Sequence, residues 1–392
     1  MSHDRAELDR RTLLKATLGT ATVAVVGGGL GLASAAAAGA DPASTRRTSA
    51  AAIRPNSELD TIIGCDEWGA RPPSSAIQLS GNVTNKIIVH HMAFPNSTDY
   101  SEAHAKQLAR DCQDLHMDTN GWADTGQHFT VSRGGYVLEG RHRSLETLTA
   151  GKQQVVAAHC PGENGNAIGI ENEGTYVTVT PPAALVTSLT ALCVTVCQQY
   201  GLHAYDIFGH WDFRDTECPG IAFYRMFPGI RRSVQAGLGE SASSAPARRW
   251  PDIWKFVGGP VVKLAQHLLN ARGYQLAADG VFGADTVSAV QDWQARNSLP
   301  VDQDATLTTR TWETLVAPLA PGDTGERVLG VQQLLQHKGY DQVSASGTYD
   351  TATAAAIANL QGLHHVTVNG LVGLETWCAL SGGIVRTALM AG

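Results

Sequence analysis

Charge is scarce in this 392-residue chain: 17% of its residues are charged, and the formal net charge is −7. Past the first fifteen residues no block of lysines or arginines occurs. That absence argues against nucleic acid or an anionic membrane as the main partner. After residue 40 no stretch reads as able to cross a bilayer, so no integral span is expected in the mature chain. An even cysteine count is missing too. With Cys65, Cys112, Cys160, Cys193, Cys197, Cys218 and Cys378, at least one thiol must stay free or bind a metal. What is present is 43% hydrophobic residues, enough for real cores in two or three domains of a soluble globular protein.

The chain begins with a polar segment holding Asp9-Arg10-Arg11-Thr12-Leu13-Leu14-Lys15, then runs from Ala16 to Ala40 without a charge. Paired arginines ahead of this run, with Ala33-Ser34-Ala35 as a small-residue cleavage site, read as a twin-arginine signal peptide over 1–35. Secretion to the cell exterior or wall follows as an expectation, with an uncleaved anchor as the alternative. The leader holds four basic residues (Arg5, Arg10, Arg11, Lys15) and three acidic ones (Asp4, Glu7, Asp9), which leaves the mature chain near −8. An exported protein can oxidise its thiols. Cys193 and Cys197 share a helix face at i, i+4, a poor geometry for bonding to each other, so a bridge from one of them to Cys65 is expected.

Composition divides the remainder. Residues 36–58 read as a linker rich in Ala, Ser, Thr and Pro, 59–238 as a domain, and 239–249 as a second linker. Within 59–238, short apolar strands are predicted at Lys86–His91, Gln127–Ser132, Tyr136–Glu139, Ala167–Asn172 and Ile207–His210. Helices are predicted at Ser101–His116 and Pro182–Tyr200, the latter with Thr180 as a possible cap. Strands interleaved with helices imply an α/β domain with a mixed central sheet flanked by helices.

Residues 250–318 and 319–385 repeat one another. Val262–Tyr274 matches Val328–Tyr340, and Asp279-Gly280-Val281-Phe282-Gly283 matches Ser346-Gly347-Thr348-Tyr349-Asp350. Thr311-Trp312 matches Thr376-Trp377. Each copy reads as a small all-α unit of three helices with its tryptophans in the core, and neither carries a catalytic constellation. The copies resemble the peptidoglycan-binding domains of bacterial wall hydrolases. The second departs at Ser346 and Asp350, so its turn is expected to differ.

Chemistry is concentrated in the first domain. His210 closes one predicted strand, and Cys218 follows eight residues later in a Pro-Gly loop. His90 closes another strand in Ile87-Ile88-Val89-His90-His91. Two histidines at strand ends and a thiolate on the loop shortly after can converge on one zinc ion and leave a fourth position open for hydrolysis. His91 alternates to the other face of its strand and reads as structural.

The strings Trp68-Gly69-Ala70-Arg71-Pro72, Ile87–His91, Gly121-Trp122-Ala123-Asp124, Gly126-Gln127-His128-Phe129, Ala158-His159, Gly169-Ile170-Glu171 and Thr216-Glu217-Cys218-Pro219-Gly220 occur in one order along residues 60–235. In that order they resemble the zinc amidase family that includes phage N-acetylmuramoyl-L-alanine amidases and animal peptidoglycan recognition proteins. The resemblance implies Zn²⁺ held by His90, His210 and Cys218, and peptidoglycan as substrate and partner. Gln127 stands where many members place a tyrosine that aids catalysis, and glutamine cannot act as acid or base. A related branch uses a glutamate at the position of Glu171, which makes that residue the expected general base. Thr216 is the expected donor to the oxyanion. His159, Asn164, Asn166 and Gln127 are assigned to the substrate groove, and His128 and His142 to structure. A monomer is expected. The alternatives are a protein that binds peptidoglycan without cutting it, and a zinc peptidase acting within the stem peptides.

Overall fold

A computed structural model describes residues 59–391. The predicted signal peptide, the predicted first linker and the export reading built on them lie outside these residues. The described residues belong to one compact unit, within Ala52–Gly392.

A short helix α1 (Cys65–Trp68) precedes β1 (Lys86–His91), followed by α2 (Glu102–Asp114), β2 (Phe129–Val131), β3 (Val137–Glu139), α3 (Ser144–Ala150), β4 (Ala167–Asn172), α4 (Ala183–Tyr200), β5 (Ile207–Gly209), α5 (Ile221–Tyr224) and α6 (Phe227–Leu238). The five strands form one mixed sheet in the order β3-β2-β4-β1-β5. Only the β2–β3 pair is antiparallel. Every residue of β1 is buried, as its Ile-Ile-Val run requires of a central parallel strand.

Strand alternation gives the sheet two different faces. One carries Ile87, Val89, Ile168, Ile170 and Ile207, packed with Leu185, Leu189 and Leu192 of α4 and Ile230 and Val234 of α6. Among the described residues α4 is the one helix long and apolar enough to cross a membrane, contrary to the expectation that no such stretch remained. Its packing on the sheet accounts for that apolarity. Helix α4 begins after Pro182, so Thr180 is not its cap, and it ends at Gly201, whose φ of 68° suits a left-handed stop.

The second face carries Lys86, Ile88 and His90 of β1, with Gly169 and Glu171 in register on β4. Its apolar members Ile88, Ala167 and Phe208 are buried in a cluster that continues through Phe213 into Trp250, Val261 and Leu264. The helical repeats therefore close part of this face. They comprise α7 (Pro260–Asn270), α8 (Ala284–Arg296) and α9 (Thr309–Leu315), then α10 (Glu326–His337), α11 (Thr351–Leu363) and α12 (Leu374–Leu380). The stretch read as a second linker is itself folded. Ala245 is buried, and β6 (Arg248–Arg249) pairs antiparallel with β7 (Ile384–Val385), ahead of α13 (Arg386–Met390). Arg232 of α6 donates to the Ala388 carbonyl, which ties the C-terminal segment back to the first domain.

Two further expectations are corrected. No disulfide joins any two of the seven cysteines. Cys65 lies with Trp68 and Leu138 in one small cluster, while Cys193 and Cys197 belong to the α4 core, so no bridge joins them. The second repeat also keeps the turn of the first. Gln266 Oε1 accepts the Gly280 N–H at 2.9 Å, and Gln332 Oε1 accepts the Gly347 N–H at 2.8 Å. Ser346 Oγ accepts from Thr348 N as Asp279 Oδ1 accepts from Val281 N, so serine replaces aspartate without changing the backbone.

Candidate metal centre

His90 leaves the penultimate position of β1, and His210 begins the turn directly after β5, the neighbouring strand. Cys218 arrives on the loop that follows. The candidate ligand atoms of His90, His210 and Cys218 lie within 4.8 Å of one another, and all three residues are buried. Backbone bonds hold this convergence. Trp211 N–H donates to the Cys218 carbonyl at 3.0 Å, which locks the two ligand-bearing segments together. Asp212 Oδ2 accepts the Gly209 N–H at 2.9 Å and closes the turn under His210. His91 N–H donates to Cys218 Sγ at 3.3 Å, a contact that favours a thiolate.

The donor set can be tested against zinc. A tetrahedral ion with bonds of about 2.05 Å to nitrogen and 2.3 Å to sulfur separates those two ligand atoms by about 3.6 Å. His90 Nδ1 lies 3.6 Å from Cys218 Sγ. Two imidazoles and one thiolate leave a fourth position of a tetrahedron to solvent or substrate, so the residues present fit a hydrolytic zinc site.

Glu171 pairs in register with His90, and its Oε1 lies 3.8 Å from His90 Nδ1. Its side chain is 18% exposed, enough to meet a bound molecule. Thr216 Oγ1 accepts the Cys218 N–H at 3.2 Å. The hydroxyl thus braces the ligand loop while its own hydrogen stays available to donate.

Of the residues expected in the groove, Gln127 and His159 are buried, and Asn164 and Asn166 are half-buried. Gln127 is 1% exposed, and its amide donates inward to Thr130 Oγ1 at 2.9 Å. His159 is 8% exposed and sits behind His90 instead of over it. Asn164 Oδ1 accepts the Cys160 N–H, closing its own loop at 2.8 Å. Asn166 precedes β4, at the opposite end of the strand from Glu171. His91 lies on the far face, where its Nδ1 accepts from Tyr176 N and burial lowers its pKa to about 4. His128 is buried and bonded to the Val155 carbonyl at 2.9 Å, as a structural histidine should be.

Sequence reasoning missed a buried ion pair beneath the site. Lys86 Nζ lies 2.6 Å from Glu163 Oε2, and both side chains are almost wholly buried. Glu163 Oε1 also accepts from Trp254 Nε1 at 2.8 Å, which joins the sheet to the segment leading into the repeats. The available signal was a lysine opening an apolar strand on the same alternating face as His90.

Comparison with known proteins accords with this architecture. The N-acetylmuramoyl-L-alanine amidase family profile matches residues 80–221, and a peptidoglycan binding domain profile matches residues 258–315 and 324–380. Peptidoglycan-recognition protein LB of Drosophila melanogaster is 32% identical over 51% of this chain and 81% of its own length. Peptidoglycan-recognition protein SC2 of the same organism is 34% identical over 41% of this chain and 80% of its own. The N-acetylmuramoyl-L-alanine amidase of Homo sapiens is 28% identical over 49% of this chain and 34% of its own.

Proposed function

The chain belongs to the family of N-acetylmuramoyl-L-alanine amidases and peptidoglycan recognition proteins, and on that premise we propose that it is an exported, zinc-dependent amidase. It would cut the amide between the lactyl group of N-acetylmuramic acid and the L-alanine of the stem peptide. The observation that carries this reading is the convergence of the His90, His210 and Cys218 ligand atoms within 4.8 Å, beside an in-register carboxylate.

Zinc at these three residues would acidify a water and polarise the scissile carbonyl. Glu171 then takes the proton of the attacking water on its carboxylate and delivers it to the departing alanine nitrogen. Thr216 donates its hydroxyl hydrogen to the developing oxyanion, where a preplaced dipole is most effective. The Cys218 thiolate is kept in place by the His91 N–H and by the Trp211 bond to its carbonyl.

The two repeats would hold the enzyme on its insoluble polymer and raise its effective concentration there. The twin-arginine leader supports action outside the cytoplasm, with the protein working as a monomer. Zinc content per chain should track release of soluble wall fragments through chelation and metal return. Full release from metal-stripped protein would defeat the proposal.

A further inference from the structure

His90 presents Nδ1 to Cys218 and turns its other nitrogen inward. His90 Nε2 lies 3.0 Å from His159 Nδ1. His159 Nε2 lies 3.3 Å from the Ala167 carbonyl oxygen. A carbonyl can only accept, so His159 carries its hydrogen on Nε2. Its Nδ1 is then a bare acceptor in the neutral ring, and the hydrogen between the two rings belongs to His90 Nε2. A neutral His90 protonated at Nε2 has its lone pair at Nδ1, the atom 3.6 Å from Cys218 Sγ. One assignment of hydrogens thus satisfies every nitrogen in the row and leaves the correct lone pair facing the centre.

We propose that His159 is a positioning residue that fixes the His90 imidazole in the orientation and tautomer needed to bind metal through Nδ1. The inference rests on the zinc reading above and deepens it. His159 itself is held from both sides. Gly169 of β4 supplies its seat: a Cβ there would lie 2.4–2.7 Å from three atoms of the His159 ring. On the other flank stands His128, its ring centroid 5.6 Å away. His128 is anchored by the Val155 carbonyl and by the Gly169 N–H, which donates to its Nδ1 at 3.0 Å. His159 meets the His90 ring edge-on, on the side of Nε2, so its service to the reaction passes through His90. Histidine ligands characteristically donate their second N–H to a partner of this kind, and loss of the partner weakens metal binding.

The test uses the full chain with ¹⁵N-labelled histidine and bound zinc. Long-range ¹H–¹⁵N correlation should show His159 protonated at Nε2 alone and His90 protonated at Nε2 with Nδ1 on the metal. In parallel, zinc affinity is measured by chelator competition for His159→Leu, which removes the acceptor, and His159→Asn, whose Oδ1 replaces Nδ1. Leucine should weaken zinc binding roughly tenfold to a hundredfold, and asparagine should recover most of that loss. A proton on His159 Nδ1, or a folded leucine variant that binds zinc as tightly as wild type, overturns the inference. If the leucine variant does not fold, the wild-type spectrum decides. A wild-type chain that takes up no zinc overturns the metal centre itself, and this inference with it.

Discussion

Lys338, at the end of α10 in the second repeat, reaches across to Asp212, two residues past His210. Its Nζ lies 3.8 Å from Asp212 Oδ1, with both side chains buried. It also sits over the rings of Trp211 and Tyr224, 5.2 and 4.6 Å from their centroids. Burial lowers the lysine pKa to about 8, opposed by the Asp212 charge. Asp212 closes the turn that places His210, so a repeat expected to act as a tether is part of the site's scaffold.

Lys338→Met should therefore act on the centre and not only on wall binding. Removing one partner of a buried pair leaves the other uncompensated, at a cost of about 3 kcal/mol. Thermal unfolding should show the loss, and zinc affinity should fall with it. Unchanged stability and affinity would mean that the repeat only leans on the turn.

Glu163→Ala should be similarly harmful, at about 3–5 kcal/mol, because Lys86 would be left buried and Trp254 would lose its acceptor. Denaturant unfolding of the full chain measures this directly.

Glu171→Gln keeps the shape of the side chain and removes its basicity. Turnover on cell walls should drop by about 10²–10⁴ while zinc content stays at the wild-type level. Retained turnover with zinc bound would remove Glu171 from the proton path.

Acid should destabilise the fold in a defined window. Burial lowers the pKa of both His128 and His337 to about 4, from 6.5. Between these values the unfolded chain binds protons that the folded chain refuses, so stability is complete above pH 6.5 and falls as pH drops toward 4. Each histidine accounts for about 3 kcal/mol over that range. Melts at pH 7, 5.5 and 4.5 should show the decline, and His337→Phe should flatten it.

Much of this was legible in the chain. The Ile-Ile-Val-His run predicted β1 to the residue, because a fully buried parallel strand has few other compositions, and it placed His90 at the strand's end. Cys218 could be linked to His210 by spacing alone. What stayed hidden depends on which side chains share a face across distant segments. The family resemblance assigns His159 and Gln127 to the groove, yet Gly169 opens a slot that draws one behind His90, and Thr130 draws the other into the core. The packed junction was illegible for a similar reason. A stretch rich in Ala, Ser and Gly reads as a linker unless one knows that Ile88 and Phe208 need covering on the sheet's second face.

Counting new termini in a wall digest tests the central claim most directly. Purified zinc-replete protein is incubated with cell walls, and amino and reducing ends are identified. The account predicts new N-terminal alanine with no new reducing sugar. Other new amino termini would mark a peptidase, and no release at all would mark a protein that binds the wall without cutting it; either result contradicts the account.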